Sequence, residues 1–205
     1  MIEMLGVLAI IGVLSVMGIA GYTKAMTKIK INKTVDHIVQ ITQQTRVAFG
    51  SQRSYIGLGV GAQVPEVMFT ADLAPRDMLT ADENGEFTQP YIYRNAFKGN
   101  VSMRYSDYNI VGDHMAFIVH FDGLPKAACI TVATSDWGGV NGTGFIGLVI
   151  NKTMPADLLD STCEPSPITQ KGTATHCTRK GPMPMAAATT ACTDTNNNSI
   201  EIKFY

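Results

Sequence analysis

The sequence predicts an α+β protein: a long N-terminal α-helical stalk, half transmembrane and half amphipathic, packed on an antiparallel β-sheet head with a disulfide-stapled C-terminal region. Three observations carry this expectation. Met4 to Tyr22 contains no charged residue. Ile31, Val35, Ile38, Thr42, Thr45 and Phe49 then recur at the spacing of one helix face. Further on, short alternating apolar runs are punctuated by Gly and Asn, and all 4 cysteines fall in the C-terminal half.

The first element is the apolar run. At a rise of about 1.5 Å per residue it makes a helix roughly 28 Å long, close to the hydrocarbon thickness of a bilayer. A secretory signal peptide would place basic residues before a shorter run, whereas Glu3 stands in front of this one. A buried core helix is disfavoured because Val7, Leu8, Ile10, Ile11, Val13, Leu14, Val16 and Ile19 make it apolar on every face, and 205 residues cannot easily enclose it. A plain membrane anchor leaves Glu3 unexplained, since a carboxylate at the mouth of such a segment needs the interface or a cation. Lys24, Lys28, Lys30 and Lys33 follow directly. By charge alone they would face the cytoplasm; their bland role is to snorkel at headgroup level.

The chain divides into residues 1–22, the apolar stalk; 23–50, its amphipathic half; 51–100, a long connection; and 101–205, the sheet and disulfide-bonded region. Lys33, Asp36, Gln40, Gln43 and Gln44 lie off the apolar stripe, and Gly50 is a natural helix stop. In the connection a short helix is expected around Glu66 to Leu73, broken at Pro75, and Asp82 to Glu86 reads as a solvated loop tip. Tyr91 to Tyr108 reads as a hairpin, and His114 to Phe121 as a strand with Met115, Phe117, Val119 and Phe121 on one face. Asp122-Gly123 should turn the chain into a short helix that begins at Pro125 and carries Cys129. Phe145 to Ile150 is a further strand, Pro155 to Pro184 an irregular lobe, and Met185 to Cys192 a turn of helix. Ser199 to Tyr205 alternates, with Ile200, Ile202 and Phe204 inward and Glu201 and Lys203 toward water.

Net charge is −1, which implies no nucleic-acid partner. An even number of cysteines without a CxxC pair, behind an export-type helix, reads as two disulfides in an oxidising compartment. Three pairings are open for Cys129, Cys163, Cys177 and Cys192. The nested one is favoured because it would staple the C-terminal region to the body. Zinc held by Cys163, His176 and Cys177 lacks a two-cysteine knuckle. Calcium at Asp194, Asn196, Asn198 and Glu201 lacks the loop glycine, so an Asx-rich turn is expected instead. His37, His114, His120 and His176 are scattered, and no catalytic motif occurs. No enzyme activity and no cofactor or metal is therefore expected. Tyr55, Tyr91, Tyr93 and Tyr108 read as exposed aromatics that could help bind a surface, against the commoner role of strand-flanking tyrosines in packing, and Trp137 reads as core.

The opening stretch, with Glu3, the Ala9-Ile10-Ile11-Gly12 core and Tyr22, resembles the N-terminal segment of type IV pilins and pseudopilins. There a glutamate opens an all-apolar stalk, and the resemblance implies that Glu3 compensates the N-terminal amine of a neighbouring subunit. The family usually has four residues and a basic leader before that glutamate, cut by a prepilin peptidase. Only Met1 and Ile2 precede Glu3, so a trimmed N-terminus is expected. Many members also carry a stalk proline; here the first is Pro65. Gly12, Gly18 and Gly21 instead lower helix propensity by roughly 1 kcal/mol each, which places any unwinding in the assembled state between Gly12 and Gly21.

Leu73 to Met78, Asn95 to Val101, Leu124 to Cys129 running to Trp137-Gly138, and Thr190-Ala191-Cys192 before the last strand resemble the type IVb pilins, especially the conjugative and adhesive thin-pilus kind. The resemblance implies that Cys129 and Cys192 bracket the family's D-region and that Cys163 and Cys177 form an added bridge. It implies a structural subunit of a helical homopolymer, held in the bacterial inner membrane with a periplasmic head and then built by pilus assembly machinery into an extracellular filament. Adhesion, aggregation, conjugation and motility are the tasks such a pilus serves. A minor pilin or type II secretion pseudopilin is the alternative. A membrane-anchored periplasmic enzyme or binding protein is disfavoured by the missing active-site constellation.

Overall fold

The computed structural model describes residues 2–108, 112–138, 144–153, 177–179 and 181–205. Helix α1 runs unbroken over Ile2–Phe49 and stops at Gly50. Its amphipathic half buries Ile31, Thr34, His37, Ile38, Ile41, Thr42, Thr45 and Phe49, while Gln40, Gln43 and Gln44 stay exposed. The buried threonines at 34 and 42 donate their hydroxyls to the carbonyls of Lys30 and Ile38, so these polar groups enter the core already satisfied. The buried stripe is wider than the predicted one, which lacked Thr34, His37 and Ile41.

The connection after α1 is held by its own packing. Leu58, Val64, Met68, Leu73 and Met78 join the main core. Helix α2 occupies Val64–Thr70 rather than Glu66 to Leu73. Pro65 fits its first turn, where no backbone N–H is needed, and the chain leaves helical geometry at Asp72, whose φ is 50°. Asp82 to Glu86 is exposed, and Asp82 accepts the backbone N–H groups of Asn84 and Glu86, both at 2.9 Å. Of the four tyrosines, two take the packing alternative: Tyr55 lies tilted against Phe117 with ring centroids 4.7 Å apart, and Tyr93 is 3% exposed. Tyr91 and Tyr108 are half-buried. Strand-flanking rings bury because a large apolar face gains more from the core than its hydroxyl loses.

Six strands form one antiparallel sheet: β1 (Tyr93–Arg94), β2 (Asn100–Ser106), β3 (Ala116–Leu124), β4 (Phe145–Ile150), β5 (Cys177–Arg179) and β6 (Asn198–Phe204). Their spatial order is β1-β2-β3-β6-β4-β5, so β6 lies between β3 and β4. Phe117, Val119, Phe121, Ile200, Ile202 and Phe204 point into the core that α1 covers. Helices α3 (Lys126–Thr134) and α4 (Met185–Ala191) pack on the same core. Trp137 is core as expected, its indole N–H donating to the Val132 carbonyl at 2.9 Å.

Three strand expectations are corrected. Met115 precedes β3 and is exposed. Asp122-Gly123 does not turn the chain; β3 continues through it with a register shift against β6. Gly123 takes φ 65°, and a Cβ there would lie 2.8 Å from the Gly99 Cα, so two glycines let β2 and β3 approach. Finally, Glu201 and Lys203 do not face water: they are 7% and 0% exposed. Alternation marks the two faces of a strand but not whether the polar face is later covered. Here Arg104 meets Glu201 at 2.6 Å and His120 lies 3.3 Å from it, so the charge is buried with partners.

Candidate assembly surface

The stalk's two halves differ only in side chains. Val7, Ile10, Ile11, Val13, Leu14, Val16, Met17 and Ile19 are 54–69% exposed, and nothing in the head covers them. A continuous bare apolar helix of this length requires lipid or other apolar helices around it. Among the described residues α1 is the one helix long and apolar enough to cross a membrane. Glu3 sits in the first turn of α1. Gly12, Gly18 and Gly21 lie within the unbroken helix, and a Cβ built at any of them meets nothing within 4 Å. The folded chain itself therefore places no demand for glycine there.

The head grips the other half at three points. Lys33 Nζ lies 2.7 Å and His37 Nε2 3.3 Å from Asp77 Oδ2, which fastens the long connection to α1. Burial lowers the His37 pKa against the pull of Asp77. Its Nδ1 is buried without a hydrogen-bond partner, so a proton there would be uncompensated. Partial burial works to raise the Asp77 pKa, but the Lys33 and His37 contacts outweigh it and leave the carboxyl below its usual value. At the end of α1, Arg46 donates to the Tyr205 carbonyl at 2.9 Å and lies 5.8 Å over the Phe204 ring. Gly144, with φ 71°, leaves the space that this guanidinium fills; a Cβ would lie 1.8 Å from Arg46 Nη2.

The third point is the platform beneath α1. Cys129 of α3 is bonded to Cys192, which caps α4, with Cα atoms 6.0 Å apart. Asn198 braces the same corner: its amide donates to the carbonyls of Leu124, Thr193 and Thr195, and its Oδ1 accepts the Thr193 N–H. The Asp194 to Asn198 segment is thus an Asn-centred turn. Glu201 belongs to the Arg104 pair rather than to a cation loop. Cys177 is disulfide-bonded, which removes the thiolate zinc would need. Cys163 and His176, with most of the irregular lobe, lie outside the described residues. Among those described, no cluster of His, Cys, Asp and Glu could hold a metal ion.

Sequence reasoning found the stripe and the bridge but missed His37, Asp77, Arg46 and Asn198. One signal was present: Asn198 stands at the entry to the last strand, where an Asx side chain holds a turn. The partnership of His37 with Asp77 has no such local signal.

A family profile described as PilS N terminal matches residues 28–203. No curated sequence is significantly similar. The crystal structure of a type IV b pilin from Salmonella typhi superposes with a TM-score of 0.50 at 15% identity, covering 82% of this chain and 96% of that one. That of TcpA, a type IV pilin from the Vibrio cholerae El Tor biotype, gives 0.51 at 14% identity, covering 86% and 99%. At these identities the likeness is one of fold.

Proposed function

The chain belongs to the PilS family and is a type IVb pilin, a structural subunit of a pilus, and from that premise we propose how it is held and polymerised. Residues 7–22 anchor it in a membrane before assembly. The membrane is the bacterial inner one, with the head in the periplasm, so the lysines after Tyr22 lie on the outer side despite their charge. A prepilin peptidase and the pilus assembly machinery act on it there. In the filament the bare half of α1 exchanges lipid for the same half of neighbouring copies. Contacts of this kind join two different patches and do not close, so they propagate as an open helix on the cell surface.

The carrying observation is the bareness of Val7 to Ile19 on a helix whose other half is locked into the head. Glu3, at the entrance of the apolar segment, supplies the charge that a neighbouring amine neutralises. Gly12, Gly18 and Gly21 are the places where α1 unwinds on assembly, since nothing in the folded chain needs them small. Glu3→Ala should leave a folded, membrane-held subunit that yields few filaments when sheared fibres are counted by electron microscopy. Normal yield would remove Glu3 from the mechanism. A filament reconstruction with α1 fully helical between Gly12 and Gly21 would remove the hinge.

A further inference from the structure

The tip of the long connection is a loop closed on a single residue. Its base is tied at the edge of the sheet, where Leu79 bridges Tyr93 and the Thr80 N–H donates to the Ile92 carbonyl at 2.9 Å. The tip's own hydrogen bonds converge on Asp82. Its N–H reaches the Glu86 carbonyl at 2.8 Å, its carbonyl accepts the Gly85 N–H at 3.0 Å, and its Oδ1 accepts the N–H groups of Asn84 and Glu86. The Asn84 side chain stands outside this set: it is exposed, and its amide has no hydrogen-bond partner among the described residues. Gly85 follows it, also exposed, with φ 82° and nothing within 4 Å of where a Cβ would lie. Among the described asparagines Asn84 is the one followed by glycine, whereas the amides of Asn95, Asn100, Asn151 and Asn198 are all hydrogen-bonded.

We propose that Asn84 is a site of spontaneous deamidation, in which the backbone nitrogen of Gly85 displaces the side-chain amide and water completes the change to aspartate or isoaspartate. The Gly85 nitrogen gives its proton to solvent hydroxide and bonds to Asn84 Cγ. The Cγ–Nδ2 bond then breaks, ammonia leaves with a proton taken from water, and a cyclic imide is closed. Water opens this ring at Cγ to give aspartate, or at the Asn84 backbone carbonyl carbon to give isoaspartate, with the main chain rerouted through the side chain. A side chain at position 85 would crowd the attacking nitrogen; glycine leaves it open. The restraint is Asp82, whose carbonyl holds the attacking N–H and whose carboxylate pins the residues on either side of Gly85. An exposed tip of this kind opens without disturbing the core. The product adds a carboxylate to those of Asp82, Glu83 and Glu86. On a subunit kept in a filament, each such event leaves one more negative charge on the head for as long as the filament lasts.

The test incubates the full chain in detergent at mildly alkaline and at mildly acidic pH. The tryptic peptide that follows Arg76 and ends at Arg94 is then sequenced by electron-transfer mass spectrometry, which separates isoaspartate from aspartate. Digestion in heavy-oxygen water labels any change made during handling, and Trp137 fluorescence confirms that the head is folded. The expected result is unlabelled amide loss at Asn84, several-fold faster at the alkaline pH and several-fold ahead of Asn95 and Asn100. Asp82→Ala should speed the loss several-fold and Gly85→Ala should slow it several-fold, each with the head still folded. An Asn84 amide retained in the folded chain while the urea-unfolded chain loses it overturns the site. So does loss found only with the heavy label, or loss spread evenly over the three asparagines. An unchanged rate in Asp82→Ala overturns the restraint assigned to that residue.

Discussion

Residues 7–22 and 31–49 lie on one unbroken helix and are treated in opposite ways by the rest of the chain. In the outer half Val7 and the stretch from Ile10 to Ile19 lie bare on every face; the inner half carries threonine, histidine, glutamine and arginine and is gripped by a sheet, a long connection and a bridged pair of helices. The half with fewer apolar residues is the one that folds the head, because its apolar and hydroxyl-bearing side chains share a face. The greasier half has no face to choose and must find its partners outside the monomer. Stability and assembly are therefore encoded in separate lengths of the same element.

The separation can be broken or sharpened by substitution, with the single tryptophan, Trp137, as a fluorescent reporter of head unfolding in denaturant. The largest loss is expected from Cys192→Ser: the bridge closes a 63-residue separation, which corresponds to about 4 kcal/mol in a chain-entropy account. An unchanged midpoint would mean that the platform under α1 stands without the bridge. Ile38→Ala, at a site 0% exposed, should cost about 3 kcal/mol. A value near zero would place the grip of the head elsewhere on α1.

A smaller effect comes from acid. The His37 pKa lies below its ordinary 6.5, so the unfolded chain binds the proton more readily. Head stability is then full above about pH 6.5 and falls as the pH drops toward the lowered folded value. Asp77, lowered from 3.8, adds a second loss below the carboxylate range. His37→Gln should flatten the first part of that profile in a melting series, and an unaltered slope would assign it to another group. The least effect on the head is expected from Ile11→Ala: within about 0.5 kcal/mol of wild type, yet with fewer sheared filaments. A destabilised head there would end the division of labour between the two halves.

Much of this was legible beforehand because it is written in local periods. The stripe from Ile31 to Phe49, the strand Phe145–Ile150 and the helix carrying Cys129 each follow from spacing within a single continuous element. What stayed hidden depends on residues far apart. His37 meets Asp77 across a sequence separation of 40, and Arg104 meets Glu201 across 97. Glu201 and Lys203 look like a solvent face until β6 is known to be a central strand with a second apolar cluster, Ile118 and Val149, beside it. Asp122-Gly123 carries a turn's composition, but Gly99 and Gly123 use their freedom for close strand approach instead. Glycine signals a backbone requirement without saying which.

The position of β6 also sets a timetable. It follows in chain order the two strands it joins, so a ribosome delivers β3 and β4 first, each lacking a neighbour on that side. Long-range pairing of this kind is slow and cannot begin early. Until the final stretch arrives, two open edges are available to any passing strand, a hazard for a molecule made to be packed at high density. The sheet is complete only once β6, which follows β3 and β4 in the chain, has joined them.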